Sequence, residues 1–153
     1  MNRRIALGLL CAAALAAVPF AGAAAADREI YTGILSDTAV GGYDPVAYFT
    51  EGRPVPGSRR HTTTWKGATW RFASASNLAL FTAEPARYAP SYGGHCSWAA
   101  AQGYTAKGDP QNWKIVDGRL FLNYDASIHR KWQADIPGFI ATADRNWPGI
   151  VGR

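Results

Sequence analysis

Asp117-Gly118, inside the stretch NWKIVDGRLFLNYD, constrains the fold more than any other feature of the chain. Such a pair between two alternating apolar runs predicts a β-hairpin, because both residues tolerate the positive φ angles of a two-residue turn. Leu120, Leu122 and Tyr124 then share one strand face. A second hairpin is predicted in TTTWKGATWRFAS, with Lys66-Gly67 at the turn. Ala68, Trp70 and Phe72 fall on one of its faces, Thr69 and Arg71 on the other.

Helices fill the spaces between the hairpins. Ser74 is placed to cap a helix through NLALFTAE, in which Leu78 and Phe81 are three apart and which Pro85 ends. Asp125 is placed to cap another, with Ile128, Trp132 and Ile136 at four-residue steps and an interruption at Pro137. Ile140, Ala143 and Trp147 form a further stripe, stopped by Pro148. These elements predict an α+β fold: a small single domain with two β-hairpins packed against several short helices. No internal repeat is read from the sequence.

The N-terminus carries Arg3 and Arg4, an apolar run from Ile5 to Phe20 and a tail ending AAAAD, which together read as a secretory signal peptide over 1–26 cleaved near Ala26. The predicted location is periplasmic or secreted, with an irregular lead-in over 27–42 and the domain over 43–150. No later stretch is apolar enough to span a membrane, so no membrane span is expected after signal removal. Removing Arg3 and Arg4 lowers the formal charge from +5 to +3, too little for a nucleic-acid partner. Cys11 leaves with the leader, so Cys96 remains the single thiol and no internal disulfide forms. Stability then comes from packing, for which six tryptophans offer large apolar surfaces.

Three longer segments, YDPVAYFTEGRPVPGS, FASASNLALFTAEPARYAPSYGGHCSWA, and DGRLFLNYD followed by KWQADIPGFIATADRNWP, resemble exported proteins of the YHS-domain family, including YHS-domain (seleno)proteins. The resemblance spans nearly the whole chain after the leader. It implies two kinds of chemistry. Some relatives carry selenocysteine where this chain has Cys96, which implies redox or soft-metal chemistry at that atom. YHS and related domains also occur with heavy-metal resistance and transport systems, often as cysteine-based metal sites, which implies a metal-handling partner. A multi-cysteine site is beyond one chain with one retained cysteine.

Cys96 is the candidate catalytic residue, and Cys96 with His95 the candidate metal pair, for copper or zinc. Gly93-Gly94 leads into HCSWAAA, whose alanines favour helix, so the thiol is expected in a first turn where free N–H groups favour its ionisation. Three readings stay open: a soft-metal ligand, a reactive thiol resolved by an external thiol reductant, and a buried cysteine in a partner-binding module. A homodimer linked through Cys96 is a further expectation. His61 and His129 read as solvated surface, and Asp44, ahead of Pro45, as a turn device. Tyr92, Trp98 and Trp113 read first as core and second as pocket walls. CxxC and CxxCH are absent, so a dithiol cycle and covalent c-type haem are excluded. No phosphate-binding glycine loop points to a nucleotide, and no Ser/His/Asp spacing supports a hydrolase.

Overall fold

Both predicted turns form. Lys66-Gly67 and Asp117-Gly118 adopt the same pair of positive φ angles, 49° and 74°. The computed structural model describes residues 28–152, so the leader, its cleavage point and Cys11 lie outside the described residues. The first hairpin pairs β1 (Ser58–Trp65) with β2 (Ala68–Phe72), and the second pairs β3 (Asp109–Val116) with β4 (Arg119–Asn123), each antiparallel. Around them lie α1 (Ala47–Thr50), α2 (Ala75–Ala83), α3 (Pro85–Tyr88), α4 (Ser97–Gln102), α5 (Ala126–Gln133) and α6 (Ile136–Val151). The predicted α+β class holds. Among the described residues, no helix is long and apolar enough to cross a membrane.

The chain contains an internal duplication that the sequence reading missed. Residues 39–83 and 91–133 each run through a 3-10 turn, a short helix, a hairpin and a capped helix, with a period of about 50 residues. The turns Ala39–Gly42 and Ser91–Gly94 share left-handed backbone, with φ of 54° and 58° at Val40 and Gly41 and of 57° and 61° at Tyr92 and Gly93. Each is closed by matching bonds: Tyr43 N–H to Val40 C=O and His95 N–H to Tyr92 C=O, both 3.0 Å. Asp44 N–H donates to Val55 C=O and Cys96 N–H to Ala106 C=O, both 2.8 Å. The strands agree in register as well, Ser58 opposing Phe72 as Asp109 opposes Asn123, each with an irregularity four residues later. Ser74 accepts from Asn77 N–H at 3.1 Å as Asp125 accepts from Ile128 N–H at 2.8 Å, so the two predicted caps are the same cap twice. What the units share is backbone path and glycine placement, which side-chain periodicity does not report.

The two units meet across β4. Leu120 and Leu122 join one core with Trp70, Phe72, Phe81 and Tyr48, while Phe121 joins a second with Trp132, Tyr92 and Ala143. Leu120 and Leu122 do line one face as predicted, but the opposite face is buried too, and Tyr124 leaves the strand at 44% exposed. The last two prolines also behave differently from the prediction. The α5/α6 break falls at Ala134–Asp135, and Pro137 sits in the first turn of α6, where its missing N–H costs nothing. Pro148 lies inside α6 and does not stop it. Ile150 beyond it is buried, and that packing offsets the one lost backbone bond.

Helix α6 has no counterpart in the first unit and is held at three points. Tyr92 Oη donates to Asp144 Oδ1 at 2.8 Å, Arg119 clamps the same carboxylate at 2.8 and 3.0 Å, and Asn146 Nδ2 donates to the Ala100 and Ala101 carbonyls at 3.1 Å. The last two bonds satisfy carbonyls at the end of α4.

Candidate functional site

Asp44 and Cys96 occupy the same place in the two units, two residues after the 3-10 turn and at the approach to a short helix. Asp44 is fully buried and accepts four hydrogen bonds. Oδ1 takes Val46 N–H at 2.8 Å and Ala47 N–H at 3.2 Å, and Oδ2 takes Ala73 N–H at 2.8 Å and Asn77 Nδ2 at 2.7 Å. The turn device read from Asp44-Pro45 is therefore the polar centre of the first unit, fixing α1, the end of β2 and α2 together.

In the second unit the counterparts of the three backbone donors are the N–H groups of Trp98, Ala99 and Tyr124, and all three favour the charged form of the Cys96 sulfur. None closes a full cap bond to Sγ, and Trp98 N–H instead donates to Asn123 Oδ1 at 3.1 Å. Burial is the larger effect. It pushes the Cys96 thiol above its ordinary value, the N–H groups pull the other way without offsetting it, and Asp125 adds to the rise. The expected easy ionisation is thus corrected: the helix start is where the sequence placed it, but desolvation outweighs it. At neutral pH the sulfur is a thiol, and its proton faces Asn123 Oδ1 at 3.7 Å.

Cys96 is 1% exposed yet lies at the wall of a cavity of about 370 Å³. Trp98, Tyr104, Ala106, Tyr124 and Ile128 give that cavity an aromatic and aliphatic lining, with Asp125 at its edge. Trp98 thus acts as a pocket wall, whereas Trp113 packs edge-on against Tyr48 at 5.0 Å and Tyr92 lines a different cavity beside Arg119.

The histidines divide differently from the prediction. His95 Nε2 lies 2.8 Å from the Arg28 carbonyl, which makes it the protonated nitrogen, and its ring packs against Tyr31 and Trp147 at 5.4 and 5.6 Å. His95 thereby fastens the lead-in to the second unit and does not line the Cys96 cavity. His129, read as solvated surface, is half-buried, stacked on Trp132 at 5.9 Å, and accepts at Nδ1 from Asn123 Nδ2 at 3.0 Å. Burial, and then the charge of Lys114, lowers its pKa, so it is neutral at pH 7. His61 stands on β1, away from this arrangement.

The sequence reading missed Asn123 and its link to His129. The available signal was an amide directly after the apolar run Leu120–Leu122 at the end of a strand, a position at which a buried side chain must find partners. Among the described residues, no group of three or more His, Cys, Asp or Glu side chains is gathered as a metal cluster would require. Nε2 of His95, which donates to the Arg28 carbonyl, is not open to a metal in this arrangement.

The fold and site define a small α+β protein made of two copies of one hairpin unit, one closed around a carboxyl group and the other around a thiol. A YHS domain is found at residues 46–92, which is the first unit from its short helix to the opening of the second. No curated protein and no solved structure matches the chain.

Proposed function

We propose that this is an exported, periplasmic or secreted protein that works by thiol redox chemistry at Cys96, with an external thiol as reductant. The observation that supports this most is a sulfur at a cavity wall close to the backbone N–H groups of Trp98, Ala99 and Tyr124, which favour its charged form. At rest those donors do not outweigh burial, so the thiol is protected. They act when negative charge builds on sulfur or on an oxygen bonded to it, which is where preorganised donors accelerate a reaction. The oxidised cysteine, a sulfenic acid or mixed disulfide, is returned to thiol by the outside reductant, since no second cysteine is retained.

The test is labelling of the folded protein with a small alkylating reagent, followed by peptide mass analysis. Cys96 should label without denaturant and Cys96→Ser should not. Labelling that appears only on unfolding would leave a packing cysteine in a partner-binding module. The metal reading, copper or zinc on Cys96 with His95 as second ligand, draws support from the YHS match. Native mass spectrometry with copper(I) or zinc separates it from the thiol reading, because equal loading of wild type and Cys96→Ser would remove it.

A further inference from the structure

We infer that the loop around Cys96 is a receptor for an acidic two-oxygen group on residue 96, and that this group is the cysteine sulfinate. The inference rests on the thiol reading and adds to it the oxidant and an end product, since an external thiol returns the sulfenic acid of that reading but not a sulfinate. Its basis is the first unit, an independent copy of the loop that already holds such a group. There the N–H groups of Val46, Ala47 and Ala73 bind both oxygens of Asp44. Trp98, Ala99 and Tyr124 hold the same three positions around Cys96, whose sulfur makes no cap bond to the helix start while Trp98 N–H is taken by Asn123 Oδ1. Oxygens added to that sulfur extend toward the donors.

The fourth donor differs between the units. Asn77 Nδ2 completes the Asp44 site, and its counterpart Ile128 has nothing to donate and lines the cavity. That exchange leaves a route to the sulfur. Asn123 supplies the replacement: turning its amide over brings Nδ2 to the new oxygens and Oδ1 to His129, which then carries its proton on Nδ1. Oxidation therefore switches the tautomer of a neutral histidine.

The oxidant is a hydroperoxide, and two equivalents are consumed. In the first step sulfur attacks the terminal oxygen, an S–O bond forms, the O–O bond breaks, and the thiol proton leaves with the alkoxide as an alcohol. In the second the sulfenic acid repeats the attack and yields sulfinic acid and another alcohol. The sulfinic proton passes to solvent. Sulfur loses two electrons in each step, and each peroxide gains them.

Three measurements on the full chain without its leader test this, with hydrogen peroxide as probe. The Cys96 peptide should gain two oxygens, and the ¹⁵N shifts of His129 should exchange Nδ1 and Nε2 character. Cys96→Asp, which needs no reaction, should melt about 3 °C or more above Cys96→Ala. Failure to gain oxygen overturns the thiol reading and the sulfinate with it. Oxygen gain with Cys96→Asp melting at or below Cys96→Ala overturns the receptor alone, and oxidation without a tautomer change overturns the part assigned to Asn123.

Discussion

A buried polar residue is worth as much as the partners it would orphan. Asp44→Ala strips four donors of their acceptor inside the protein, and the expected cost is about 3–5 kcal/mol, read as a fall in urea midpoint. Asp44→Asn should not rescue it, because an amide keeps one acceptor oxygen and turns an NH2 group toward two donors. Cys96 makes a different prediction. Its folded-state pKa is raised, so its contribution to stability is full below the unfolded value of about 8.5 and is lost as pH rises through the folded value. Thermal melts of wild type should decline in the alkaline range more steeply than those of Cys96→Ser. The sequence placed Cys96 at a helix start but could not weigh that against burial, which depends on β4 and α5 arriving from elsewhere in the chain. It missed His129 for the same reason: its partner Asn123 is on a strand, and a helical stripe places a residue on a face without saying what covers that face.

Elements were legible where their signals were local. Both hairpins and the Ser74 and Asp125 caps were read correctly, because a turn pair or a capping side chain acts within three residues of itself. Pro148 was misread since the energy that keeps α6 helical past it comes from the burial of Ile150, which a proline signal does not report. The anchor of that helix is testable. Arg119 holds the Asp144 carboxyl below its usual range, with Tyr92 assisting, although both ionic partners are more than one-third exposed. Asp144→Ala should therefore cost only about 1 kcal/mol after screening. Because the folded pKa is depressed, this contribution is present above the unfolded value of about 3.9 and fades as pH falls through the folded one. The difference in denaturant midpoint between wild type and Asp144→Ala should close in acid.

At the scale of the molecule, the two units are not separable bodies. Leu120 and Leu122, from the second unit, complete the core of the first, and Gly93 abuts the lead-in so closely that an added Cβ would lie 1.6 Å from the Glu29 carbonyl oxygen. Tyr31 N–H donates to Gly93 C=O at 2.9 Å across that contact. Tryptophan fluorescence and far-ultraviolet circular dichroism should accordingly report one coincident unfolding transition. Two separate transitions would mean that the shared strand does not couple the halves.

Asn77 Nδ2 donates to the Asp44 carboxyl group where its counterpart Ile128 offers the Cys96 sulfur no donor, so the molecule is twofold in its main chain and holds a thiol in one half alone. Stoichiometry follows: an alkylating reagent saturates at one equivalent per chain without its leader, and half-site behaviour in such a titration would arise between chains, never between the two repeats of one.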